Sequence, residues 1–191
     1  MSFDLSMPRI IAIAVLGIVL VAPVVSRAQD TVYWRSGRPL TWSDYRAVPE
    51  ANSPFAAITT AGIAYTLSYT KRSMKTRVFC YMLPDKSWAK ERGRRALLEH
   101  EQLHFDITEL FARRLERAFK TYHFTFATVG RDLQKIFDRI NREKTETNEQ
   151  YDKETNFSLN AVRQARWKRK IGAALKLPGT RPRGTKPPGT R

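Results

Sequence analysis

Residues 97–106 read LLEHEQLHFD and hold two of the chain's three histidines, His100 and His104, with Glu101 directly after the first. On a helix each residue turns about 100° and rises about 1.5 Å, so the two imidazoles stand about 40° apart in direction and one turn apart in height. Two imidazoles so placed can grip one metal ion. Glu101, about 100° round from His100, can reach a water on that ion without being a ligand itself. This is the logic of H-E-x-x-H zinc hydrolases: zinc lowers the pKa of the water, and the glutamate takes its proton as the water attacks a carbonyl. The apolar Leu97, Leu103, Ile107, Leu110 and Phe111 surround the motif. Histidines among them are half-buried and need polar partners.

Two histidines do not complete such a site, because catalytic zinc normally takes three protein ligands and a water. On the same helix Glu109 lies about 180° from His100 and Asp106 about 240°, so both point elsewhere, as surface charges or as partners of a ligand. The third ligand must then come from another segment. His123, in KTYHFTF, is the remaining histidine and reads as a packing or surface residue. The stretch EQYDKETN (149–156) offers Glu149, Asp152 and Glu154 near a helix end, where a loop can fold back on the motif. Cys80 is the only cysteine, which rules out an intramolecular disulfide and a cysteine-based zinc site. Its setting, RVFCYM, is that of a buried, inert thiol.

The elements that must position these residues follow from local pattern. TVYW (31–34) reads as a short strand and PLTWSDYRAVPE as a turn-rich connector. The β-branched and aromatic runs 56–69 and 74–83, separated by the polar TKRS, predict an antiparallel hairpin. Ser87 is placed to cap a helix that begins near Trp88 and runs, without proline, to about Phe119, with Gly93 as its weak point. Val129, Leu133, Ile136, Phe137 and Ile140 recur at helical spacing and predict a second helix. A loop is expected around 152–158, then a shorter basic helix from about Leu159 to Lys176. A small sheet followed by helices is an α+β order.

The apolar run IIAIAVLGIVLVAPVV (10–25) is shorter than the ~20 residues a spanning helix needs, and Pro23 interrupts it. Arg9 precedes it, and Ser26 and Ala28 are placed for cleavage after Ala28, so residues 1–28 read as an export signal. No stable membrane span then remains after cleavage, and the protein is periplasmic or secreted. The tail 177–191, LPGTRPRGTKPPGTR, has the proline, glycine and charge content of a disordered segment, leaving a folded domain at 30–176. Without residues 1–28 the chain loses Arg9, Arg27 and Asp4, which takes the net charge from +16 to +15. Such a charge attracts anionic surfaces, an envelope surface among them, while export argues against nucleic acid as a partner. No phosphate-cradling glycine loop and no G-x-S-x-G elbow appears in the sequence.

Several ordered blocks resemble one family: LTWSDYRAVPE with the alanine-rich strand after it, CYMLPDKSW, LLEHEQLHFDITELFARRL and YDKETNFSLNAVRQARWKRKI. They are similar to the bacterial "domain of unknown function 922" proteins, described as predicted secreted zinc-dependent proteases of the zincin type, over about residues 33–172. The resemblance implies a zincin-like fold, Zn2+ held by His100 and His104, and Glu101 as the catalytic glutamate. The family's downstream block usually reads Y-D-x-x-T-x-H-G. Tyr151, Asp152 and Thr155 match it, while Phe157 and Ser158 stand in the histidine and glycine positions. Three arrangements follow. Asp152 is the third ligand, as an aspartate is in some other zincins; or His123 or Glu154 substitutes; or metal binding is weakened and the protein is a non-catalytic relative. Tyr151 either stabilises an oxyanion with its phenol or simply packs.

The expectation is thus an exported α+β, zincin-like metallohydrolase: a small antiparallel sheet, an H-E-x-x-H helix and two further helices. Zinc sits on His100, His104 and Asp152, Glu101 is the general base, Tyr151 a second candidate catalytic residue, and a peptide or protein the substrate. The alternative is a non-catalytic zincin-like envelope protein that binds anionic partners through its basic surface.

Overall fold

The computed structural model describes residues 30–176. The expected export signal (1–28) and the expected disordered tail (177–191) lie outside the described residues. Five strands and three helices follow in order: β1 (Val32–Tyr33), β2 (Ala57–Ile58), β3 (Ala61–Tyr69), β4 (Met74–Met82), β5 (Trp88–Ala89), α1 (Arg95–Lys120), α2 (Val129–Thr155) and α3 (Ala161–Lys176). The fold is α+β, with a small antiparallel sheet ordered β1-β4-β3 and a two-stranded ribbon of β2 and β5. Among the described residues, no helix is long and apolar enough to cross a membrane.

The expected hairpin is β3–β4, turning through residues 70–73, with Ala61 opposite Met82 and Tyr69 opposite Met74. Side chains alternate across a strand, so one register sets one face. Ile63 faces Cys80 and Tyr65 faces Val78 across the ladder. These residues, with Met82, join the core under the helices. Cys80 is buried, as its apolar setting implied.

Helix α1 is the centre of the molecule, meeting the sheet on one side and both other helices on the other. Phe105, Ile107, Leu115 and Phe119 are each fully buried. Burial of each such side chain contributes about 2 kcal/mol, a large share of the ~5–15 kcal/mol by which domains are stable. The helix carrying the histidines is therefore fixed by the core and not by the site.

Two boundaries differ from expectation. Helix α1 begins at Arg95, not near Trp88, because Trp88–Ala89 extend and pair with Ile58 and Ala57. Ser87 does not cap it: its hydroxyl accepts from Thr60 N at 2.9 Å and donates to the Leu83 carbonyl at 2.8 Å, tying the strand connection together. Gly93 falls in the turn before the helix. The expected loop around 152–158 is also mostly helix, since α2 runs on to Thr155. Gln150 and Glu154 pair one turn apart and Tyr151 and Thr155 are fully buried, which carries the helix through this polar stretch. The chain turns only at Asn156, Phe157 and Ser158, three consecutive non-glycine residues with φ of 47°, 49° and 76°. Left-handed backbone costs roughly 1–2 kcal/mol per residue with a side chain, least for asparagine.

Candidate metal centre

Helices α1 and α2 lie antiparallel, so four residues onward along one is four residues back along the other. His104 accordingly meets Asn148, and His100 meets Asp152. Nε2 of His100 lies 3.0 Å from Asp152 Oδ1 and 3.2 Å from His104 Nε2, and His104 Nε2 lies 2.9 Å from the same carboxylate oxygen. His100, His104 and Asp152 are a group able to hold a metal ion, with ligand atoms all within 4.8 Å of one another. Glu149 lines the same cleft as that group but is not one of it, and the remaining candidates are elsewhere. His123 is exposed, and Glu154 accepts from Gln150 and from the Trp167 indole. Glu109 is fully buried against Arg113, and Asp106 accepts from Trp34 and Gln102.

The outer nitrogens explain what the three inner atoms need. His104 Nδ1 donates to Asn148 Oδ1 at 2.7 Å, and that amide is oriented by its own Nδ2 bond to the Lys144 carbonyl. His100 Nδ1 donates to Gln164 Oε1 at 3.2 Å. With their protons on Nδ1, both histidines turn an Nε2 lone pair inward, towards each other and towards a carboxylate oxygen. Three acceptors 2.9–3.2 Å apart repel unless a cation stands among them. A tetrahedral zinc with ~2.0–2.1 Å bonds separates its ligands by about 3.3 Å, close to the edges of this triangle, and leaves a fourth position open. The donor set, two imidazoles and a carboxylate, fits zinc.

Without a metal, a proton on Nε2 takes the place of that cation and makes the hydrogen bond to Asp152. Burial opposes the charging of His104, but the hydrogen bond to Asp152 and the charges of Glu101 and Asp152 raise its pKa above the ordinary imidazole value. Burial likewise opposes ionisation of Asp152, yet the hydrogen bonds from His100 and His104 hold its carboxyl down at about 2. The cluster is a place that attracts positive charge.

Glu101 is buried and lines the same cleft, about 690 Å³ in volume, as His100, His104 and Asp152. Thr59 donates to its Oε2 at 2.6 Å, and the Tyr45 hydroxyl, 2.7 Å from Thr59 Oγ1, donates to Thr59 in turn. Burial and the nearby Glu101 charge push the Tyr45 phenol up, so it keeps its proton for that bond. One carboxylate oxygen is thus anchored, and Oε1 has no hydrogen-bond partner among the described residues.

Tyr151 is fully buried behind the histidines and lies outside the cleft lining. Its ring stacks on His100 with centroids 4.5 Å apart, and its hydroxyl donates to Gln164 at 2.7 Å. The packing role fits this placement, since the phenol is bonded to Gln164 and the His100 carbonyl and not exposed to the cleft.

Four supporting residues were not anticipated from sequence: Thr59, Asn148, Gln164 and Lys144. Gln164 had a signal, standing three and seven residues before the buried Trp167 and Ile171, a core-facing position for a polar residue. Asn148 precedes Asp152 by one helical turn, visible only once α2 is known to continue that far. Lys144 lines the cleft one turn further, and burial lowers its ammonium pKa. Nothing local marks Thr59.

Residues 83–158 match the model of a family described as "bacterial protein of unknown function (DUF922)", which supports the resemblance over that stretch. The stretch contains His100, Glu101, His104 and Asp152 and ends at Ser158. No curated protein and no solved structure matches the chain.

Proposed function

We propose that this protein is an exported, zincin-like zinc hydrolase that cleaves peptide bonds. One observation carries the reading: two Nε2 lone pairs and a carboxylate oxygen converge within 3.2 Å, beside a buried glutamate on the same cleft. His100, His104 and Asp152 would hold the ion. Bound zinc supplies Lewis acidity and a water whose pKa falls to about 7.

The chain's own groups supply the rest. Gln164 and Asn148 hold the imidazole rings and their tautomers, which keeps both Nε2 atoms available as ligands. Glu101, anchored by Thr59 through one oxygen, accepts the proton of the attacking water on the other and passes it to the leaving amine. Residues 54–59, which include the strand Ala57–Ile58, line one side of the cleft, and a strand edge there suits an extended peptide. Export rests on the sequence of residues 1–28. The exposed Arg163, Arg166, Arg169 and Lys170 of α3 suit contact with an anionic envelope surface.

The test is hydrolysis of a quenched fluorescent peptide library by zinc-loaded protein and its Glu101→Gln variant. The proposal expects turnover in the wild type and a loss of at least about 100-fold in the variant, with zinc retained. Equal rates in the two proteins would refute it, and so would no turnover in fully loaded wild type.

A further inference from the structure

The cleft differs along its length. At one end Thr108 and Lys144 make it polar; the ligand cluster lies in the middle; at the other end Pro54, Phe55, Leu97, Phe157 and Leu159 make it largely apolar, beside Asn156 and an Arg94 paired with Glu91. Three of these apolar residues are open to water, Phe55 at 40%, Phe157 at 51% and Leu159 at 66% exposure. Phe55 and Phe157 both line the cleft and pack on each other with ring centroids 5.6 Å apart, although they come from segments about a hundred residues apart.

The backbone beneath Phe157 is unusual. It is the middle one of three residues in left-handed conformation, where a bulky side chain is a genuine outlier. Its N–H donates to the carbonyl of Asp152 at 3.0 Å, and Asn160 N closes the turn on Thr155 O at 2.8 Å. The aromatic ring is thereby held at a fixed offset from the residue that supplies the carboxylate ligand. Strained backbone holding an exposed aromatic beside a reactive cluster points to recognition, since neither exposure nor strain helps the fold.

We propose that Phe55 and Phe157 form an apolar subsite that receives an aromatic or large aliphatic side chain of the substrate, next to the scissile bond. This rests on reading the His100–His104–Asp152 cluster as the reacting centre. A flat or branched apolar group laid against the exposed faces of this ring pair removes them from water and makes further ring contacts. A small or acidic side chain gains neither. The substrate class narrows to peptides with a bulky apolar residue at that position.

The probes are N-acetyl-L-phenylalanine N-methylamide and its alanine counterpart, titrated into full-length protein with and without zinc and followed by amide chemical shifts. The phenylalanine compound should shift the amides of Phe55, Phe157 and Leu159 saturably and bind at least about fivefold tighter than the alanine compound. Phe157→Ala should bring the two within about twofold, while Phe157→Leu keeps part of the preference. Equal affinities in the wild type, shifts remote from the cleft, or a preference that survives Phe157→Ala would overturn the subsite. Because the titration needs no metal, the two readings fail separately. A protein that took up no zinc would lose the metal reading, while the preference for phenylalanine over alanine would still support or overturn the subsite.

Discussion

Asn148 offers the sharpest perturbation of the site that leaves its three ligand atoms in place. In Asn148→Ala the 2.7 Å bond from His104 Nδ1 disappears, together with the amide's tie to the Lys144 carbonyl. The ring is then free to rotate, and its proton is free to move to Nε2, which cannot bind metal. A hydrogen bond of this kind contributes about 1–2 kcal/mol net, and losing one that orients a ligand typically costs 10–100-fold in metal affinity. The two estimates agree, since 1.4 kcal/mol is about tenfold. Zinc affinity of Asn148→Ala should therefore fall by about 10–30-fold, measured by competition with a chromophoric chelator at fixed pH. The control is Gln150→Ala, on the same helix but bonded only to Glu154, which should leave zinc affinity within about twofold. Thermal unfolding of the metal-free proteins shows whether the fold is intact. An affinity unchanged in Asn148→Ala, with the fold intact, would refute the claim that this amide sets the orientation of His104.

Three further outcomes follow from the same geometry. Thr59→Val removes the donor that anchors Glu101 Oε2 and should lower peptide turnover by about tenfold or more, with zinc content unchanged by metal analysis. Tyr151→Phe keeps the stack on His100 and loses the bond to Gln164 and a longer one to the His100 carbonyl, so turnover should stay within about threefold, whereas loss of an oxyanion donor would cost about 100–1,000-fold. Asp44 is opposed by burial, but its bonds from Arg38 and Thr41 lower its pKa. A depressed folded-state pKa stabilises above the unfolded value of ~3.9 and ceases to do so as pH falls through the folded value. Asp44→Asn should therefore destabilise by about 1–2 kcal/mol at pH 7 in urea unfolding, with the difference shrinking below pH ~4.

What could be read from the sequence was what depends on local period. The β3–β4 hairpin, the helical setting of His100 and His104 and the apolar stripe of α2 are all carried by neighbours two, three or four residues apart. The start of α1 was misplaced because Trp88 and Ala89 are claimed by β2, a pairing over about thirty residues that no window reveals. Asp152 was expected on a loop; it is helical because Tyr151 and Thr155 bury themselves against partners far away in sequence. The hydrogen bonds that make a site of the motif span 42 residues from Thr59, 44 to Asn148 and 64 to Gln164. Only the core decides those encounters. The same holds for Phe157: its type was visible, but its left-handed backbone and its partner Phe55 were not.

Metal content tests the zinc centre most directly. Full-length protein, loaded with zinc and exhaustively dialysed, should retain about one zinc per chain by elemental analysis, and His104→Ala and Asp152→Ala should each retain close to none. Wild type that holds no zinc, or an Asp152→Ala variant that holds as much as wild type, would contradict a centre built on His100, His104 and Asp152.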